Sequence, residues 1–384
     1  MGGKIGMKER IIQVADSKKE KILGLCQSLY DEPEIALQEY KSAKKIAEFL
    51  REEGFDVEEN LAGMATAFKA TKKNGDGPKI AFIAEYDALP GNGHACGHHL
   101  IASMGVGAGI ALSSILDTYK GEVSIIGTPA EETGDGKPYL IEHGVFDGYD
   151  AAMMIHPNSK TCVTPEIIAI GGLDFIFTGK ASHAGAKPYN GINALDAVVL
   201  LYNNINALRQ QLIDGTRIHG IILEAGTAAN VIPDMGKVRL EIRAKEQNYF
   251  DEVVEKVKNC ARGAAIATGC ELEFYHFEPT CQGLNENKVL VEIFTKVMEE
   301  FGIYEDEQVL LGSTDMGNLS QIMPCIHPLM KFSENGEELH TKEFLEASIN
   351  PYAKDRVIDG IKILALTGFN LFENSELLKK MKEE

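Results

Sequence analysis

Residues 79–99 read KIAFIAEYDALPGNGHACGHH. The first eight form a short apolar run of the length of a buried strand, stopped by Asp87 and Pro90. The turn that follows crowds His94, Cys96, His98 and His99 into six residues, interleaved with Gly91, Gly93 and Gly97. Thiolate and neutral imidazole both suit zinc. Glycine lets the backbone bend sharply enough for side chains two apart to converge on one centre. A lone histidine or cysteine is more often a satisfied core residue; this density points to a metal site.

The same alternation continues outward. Residues 101–116 are rich in Gly and Ala with helical spacing, 122–127 (EVSIIG) read as a strand closed by Thr128-Pro129, 137–143 as a short helix ended by Gly144, and 151–155 (AAMMI) as a third strand. Two further helices are expected at about 193–212 and 353–373. Strands alternating with helices predict an α/β fold, a mainly parallel sheet covered by helices, with ligands bound beyond the carboxyl ends of the strands. The chemically interesting residues fall there. Glu131 and Glu132 follow the second strand, and neighbours on extended backbone point opposite ways, so one can face a metal and the other a bound water. His156 ends the third strand, and His340 sits in ELHT near the C-terminus. An acidic helix cap and a structural histidine are the plainer readings of each alone.

The middle of the chain has another rhythm. Residues 170–179 alternate apolar and polar, as a half-exposed strand does. A helix (193–212), strands near 218–223 and 237–243, a helix near 249–267 and a strand near 271–277 follow. This β-α-β-β-α-β order predicts an inserted ferredoxin-like α+β domain over 168–280, interrupting a catalytic domain made of 1–167 and 281–384. The insert carries His183 in ASHAGAKP, Asn230 in GTAANVIPD, and Arg243 beyond it.

With 384 residues the chain exceeds one compact core. A net charge of -19 leaves no electrostatic footprint for nucleic acid and would be repelled by an anionic membrane. No run of 18 apolar residues exists to span a bilayer. The N-terminal stretch lacks the apolar centre of a signal peptide. Gly2 follows Met1, but Gly6 stands where a myristoylation pattern needs Ser or Thr. Seven scattered cysteines argue against a disulfide framework, so a cytoplasmic location is expected.

Taken together, the motifs DALP, HACGH, PAEE, HP, SHA, NVIP and LHT resemble the aminoacylase and carboxypeptidase family of dinuclear metallopeptidases. The similarity is greatest to the amidohydrolases acting on N-acyl amino acids, aminobenzoyl-glutamate and certain dipeptides. It runs from about Asp87 to His340. It implies Cys96, His98, Glu132, His156 and His340 as ligands of two divalent ions, zinc first, with Mn, Ni or Co able to substitute. It implies Glu131 as general base and Asp87 as support for the site. It implies His183 as a residue reaching the partner's active site in a homodimer built through 168–280, a lid and dimerisation domain. Asn230 and Arg243 would grip the free carboxylate of a small-molecule substrate. His99 stands where relatives commonly have Asp or Asn, Glu85 where other subgroups have Asp, and His94 receives no ligand role. These departures leave the substrate open.

Three other readings compete with this one. A thiol hydrolase with Cys96 as nucleophile has no need of the Glu131-Glu132 pair. A zinc deaminase needs a second cysteine that Pro324-Cys325-Ile326-His327 lacks. A catalytically inactive metal-binding or regulatory homologue is opposed by base, ligands and grip all being present. Residues 312–317 (GSTDMG) are expected to line the site, with Asp315 a candidate for specificity or support.

Overall fold

The computed structural model describes residues 6–384; the acylation pattern read at Met1 and Gly2 lies outside them. The chain divides into two compact units, one made of Met1–Glu166 and Leu284–Glu384, the other of Ile167–Gly283.

The first unit is built on a six-stranded sheet in the order Asp56–Leu61, Met64–Asn74, Gly121–Gly127, Lys79–Ala84, Ala151–Met153, Cys325–Ile326. The last four strands run parallel, and the first two form an antiparallel margin. Lys79–Ala84 is interior: residues 80–84 are all buried, as a strand covered on both faces must be. The helix His98–Ser113 is buried along its whole length. Its glycines let it lie directly on the sheet, since a Cβ on Gly105 would stand 2.6 Å from the Ile83 carbonyl oxygen. The helix Pro351–Glu373 joins it over a core that includes Phe82, Met104, Ile361 and Leu364. Truncating Phe82 to Ala would cost about 3–5 kcal/mol. Three helices before residue 55, Met7–Ser17, Lys19–Asp31 and Tyr40–Glu52, were not foreseen from the sequence.

The second unit is a four-stranded antiparallel sheet in the order Arg217–Glu224, Met235–Ala244, Ala169–Thr178, Glu271–His276, with the helices Ala194–Leu208 and Gln247–Thr268. This is the ferredoxin-like arrangement. Its core includes Phe175, Phe177, Leu201, Leu240 and Val257. The expectation of a half-exposed strand at 170–179 is corrected: Ala169–Thr178 lies between two other strands and is buried over most of its length. Asp174, which supplied the polar beat, is fully buried and takes both Nε (2.8 Å) and Nη2 (3.0 Å) of Arg239. Arg217–Glu224 is the opposite case, an outer strand with Ile221, Ile222 and Leu223 exposed. Among the described residues no helix is long and apolar enough to cross a membrane.

Candidate metal centre

Three parallel strands of the first unit end at one edge, and the segments leaving them carry the candidate donors. After Lys79–Ala84 comes Asp87, whose carbonyl oxygen and Oδ1 both lie 2.9 Å from His98 Nδ1. Both are acceptors, so the ring proton sits on Nδ1 and the Nε2 lone pair is left facing the site. His98 Nε2 is buried without a hydrogen-bond partner. Burial works against a charged His98, but Asp87 and the Cys96 sulfur outweigh it and hold the ring's affinity for a proton well above the usual imidazole range. A site that attracts a proton so strongly is equally suited to a metal cation.

After Gly121–Gly127 the backbone turns abruptly. Ala130 adopts a left-handed conformation (φ 61°), Glu131–Thr133 form one 3-10 turn, and Gly134 (φ 70°) closes it. The sequence expectation of opposed carboxylates assumed extended backbone, and the turn overturns it. Glu131 Oε2 and Glu132 Oε1 stand 3.7 and 3.8 Å from the same atom, His98 Nε2. Asp87 accounts for part of this arrangement: its Oδ2 accepts the Glu132 backbone N–H at 2.9 Å. Burial, reinforced for Glu131 by Glu85, pushes both carboxyls up, Glu132 to about 7. Two acids this close and this dry favour a compensating cation.

After Ala151–Met153, His156 places Nδ1 2.7 Å from its neighbour's carbonyl oxygen, on Pro157, and Nε2 3.7 Å from Cys96 Sγ. Burial holds it neutral, with a pKa of about 4. His340 arrives from the C-terminal third with a positive φ (65°), fixed by its N–H to Ala95 O and by Asn92 Nδ2 to its carbonyl. Its Nε2 is 3.3 Å from Cys96 Sγ. Three groups of donor atoms therefore lie within 4.8 Å of one another: Cys96 with His98 and His156, Cys96 with Glu132 and His340, and His98 with Glu131 and Glu132. All five expected ligands come together, with Glu131 beside them. Burial pushes the Cys96 thiol far above its usual range, which leaves it unreactive as a nucleophile unless a cation is bound. The donor set and the partnerless His98 Nε2 and Glu132 Oε1 fit divalent metal. The site opens into a cavity of about 480 Å³ lined in addition by Asn158, Lys160, Gln308, Ser313, Thr314 and Glu338.

Lys137 gave no signal in the sequence, and other neighbours take places that the sequence left open. Lys137, fully buried, places Nζ 2.6 Å from Glu85 Oε1 and 2.5 Å from Asp315 Oδ1. Of the 312–317 segment, Ser313 and Thr314 line the cavity, while Asp315 turns inward to Lys137. His327 is buried with both nitrogens unpartnered, its ring 5.3 Å from that of His156. Its segment repeats the Ile-His-Pro of 155–157, the one signal that could have singled it out. His94 and His99 are buried against each other, centroids 5.1 Å apart, and belong to none of the donor groups.

In the second unit, His183 pairs with Val231, and Ala184 N–H bonds to the Asn230 carbonyl at 2.9 Å, so these two motifs are neighbours. His183 Nδ1 accepts the N–H groups of Gly185 (3.2 Å) and Ala186 (3.1 Å). With Nδ1 accepting, Nε2 is the ring nitrogen left to act as a donor. Arg243 lies on Met235–Ala244, half-buried, 3.3 Å from Glu241.

Residues 81–365 match Peptidase family M20/M25/M40. The chain is 34% identical to the Xaa-Arg dipeptidase of Mus musculus over 98% of its own length and 92% of the relative's. It is 27% identical to one of the subunits of the p-aminobenzoyl-glutamate hydrolase of Escherichia coli (strain K12), over 96% and 92%. Its fold superposes with a TM-score of 0.73 on a dinuclear metal binding peptidase of Bacillus subtilis, at 23% identity, covering 93% of this chain and 99% of that one. The chain belongs to Peptidase family M20/M25/M40 and is an amide-bond hydrolase of that family.

Proposed function

We propose that the protein hydrolyses the amide bond of dipeptides or N-acyl amino acids that end in a free carboxylate, using a pair of divalent ions, zinc foremost, held by Cys96, His98, Glu132, His156 and His340. The observation that carries this reading is the convergence of those five side chains from four separate segments into groups that overlap at Cys96, His98 and Glu132. Overlapping groups of this kind could hold two ions side by side. When bound, the ions supply Lewis acidity that makes water nucleophilic near neutral pH.

The chain's own residues do the rest. Glu131 takes the proton of the attacking water and returns it to the leaving amine nitrogen. Asp87 keeps His98 in the tautomer whose Nε2 is free. His183, reaching the site of a second copy of the chain, donates from Nε2 to the carbonyl oxygen as negative charge develops there. Arg243 and Asn230 hold the substrate carboxylate. The likeness to an Xaa-Arg dipeptidase and the presence of Glu338 in the cavity lining favour a basic leaving residue. The exposed apolar edge strand Arg217–Glu224 supports a homodimer formed by strand pairing, because an unpaired edge of that kind is otherwise an aggregation hazard. Seven free cysteines support a cytoplasmic setting.

The test is a panel of N-acyl amino acids, aminobenzoyl-glutamate and dipeptides with basic, acidic and apolar C-terminal residues, on protein stripped by chelator and reloaded with zinc, manganese or cobalt. Turnover that disappears on stripping, returns with metal and is highest for a basic C-terminal residue is expected. Turnover that survives complete stripping would reject the metal mechanism.

A further inference from the structure

The segment from Ala130 to Lys137 carries both site carboxylates and is held locally only by the turn bonds of Gly134 N–H to the Glu131 carbonyl (2.8 Å), Asp135 N–H to the Ala130 carbonyl (3.2 Å) and Thr133 Oγ1 to the same carbonyl (3.3 Å). Ala130 and Gly134 are left-handed, Gly136 passes so close to Pro129 that a Cβ would meet its carbonyl oxygen at 1.7 Å, and only one short turn lies between. Three of its backbone N–H groups instead leave the segment, each to a buried carboxylate remote in sequence. Ala130 N–H bonds to Glu39 Oε1 at 2.9 Å. Glu132 N–H bonds to Asp87 Oδ2 at 2.9 Å. Lys137 N–H bonds to Asp315 Oδ2 at 3.0 Å. The anchors thus sit at the beginning, middle and end of the segment. Asp315 is itself braced by the Lys137 ammonium, whose other arm reaches Glu85.

Asp87 already has a role through His98. We infer that Glu39 and Asp315 are positioning residues that hold the Glu131-Glu132 turn in its strained shape, so that the base and its neighbour face the same centre. This rests on Glu131 being the base. A left-handed alanine is disfavoured and persists only where its surroundings over-determine it. Here the constraint comes from acceptors, because an amide whose acceptor is removed must find water in a buried place. Neither Glu39 nor Asp315 lines the cavity. Glu39 uses one oxygen for the task, and its Oε2 has no hydrogen-bond partner. Gln keeps an oxygen in place for the Ala130 N–H and should preserve the turn, whereas Asp, shorter by a methylene, should not.

The experiment compares Glu39→Gln, Glu39→Asp, Glu39→Ala and Asp315→Ala as metal-loaded full-length protein. It measures metal content, kcat and KM, and hydrogen exchange of peptides covering 128–138. Glu39→Gln should keep wild-type kcat and exchange. The other three should keep their metals and KM, lose kcat by about 100-fold, as misplacement of a reacting group does, and exchange faster over 128–138 alone. Wild-type kcat in the truncated forms, or a fall in Glu39→Gln as deep as in Glu39→Ala, overturns the inference. If the truncations do not fold, Glu39→Asp decides by the same readouts. If wild-type protein turns over nothing on the panel, the proposed function fails, while exchange and metal content still test the anchors.

Discussion

The two units hold their functional side chains in contrasting ways. In the first, Cys96, His98 and His156 are buried and both of these histidines commit Nδ1 to an internal acceptor, with only His340 of the donor set left exposed. In the second, His183 and Asn230 are exposed and Arg243 is only half-buried, although His183 Nδ1 still accepts from two backbone amides. The difference follows from what each group must meet. A small cation can be enclosed by one unit, and burial strengthens its attraction to the donors. A group that serves a substrate or a second subunit has to remain on the surface of its own unit, so only its orientation can be prepared.

Glu131→Ala should strain that contrast most. It should retain both metals, measured by elemental analysis, and lose about 10²–10⁴-fold in kcat, the contribution of a positioned base; near-normal turnover would remove Glu131 from that role. Mixing Glu131→Ala with His183→Ala, each inactive alone, should restore part of the activity through hybrid dimers. No recovery, with subunit exchange verified by mass-tagged chains, means the second unit does not act across subunits. Asp87→Ala should weaken metal binding about 10–100-fold in equilibrium dialysis, because the ligand's orienting partner is gone. Unchanged affinity would show that the turn alone presents His98.

The smallest effect concerns stability. Burial pushes the Glu286 carboxyl up to about 8, against a partial offset from the His327 N–H that it accepts. A carboxyl raised in the folded state binds its proton more tightly there than in the unfolded chain. Its stabilising contribution is therefore complete below about pH 4.5 and is lost as pH rises through about 8. Glu286→Gln, which keeps the acceptor, should raise the melting temperature by a few degrees at pH 8 and leave it unchanged at pH 4. An equal shift at both values would mean that ionisation is not the cause.

The metal turn was legible because it combines two strong local signals, a doubly buried strand and a cluster of donors spaced by glycines. The order of elements in the inserted unit was legible for a similar reason, since apolar periodicity distinguishes strand from helix without any long-range information. Lys137 was not, because a lysine in a short helix ordinarily faces water, and only Glu85 and Asp315 explain why this one does not. Glu39 gave no signal either: its partner is a backbone amide 91 positions away. The polar beat at Asp174 misled because alternation records side-chain type, whereas exposure depends on whether an ion partner such as Arg239 arrives on the neighbouring strand.

By itself the sequence determined which donors exist and which strands carry them, since these follow from local patterning and the chemistry of single side chains. Only the tertiary structure decided that Glu131 and Glu132 converge, that His98 offers Nε2, and that three remote carboxylates hold the turn between them. Those outcomes depend on backbone amides and on pairs brought together over long separations, and neither leaves a periodic trace in the order of residues.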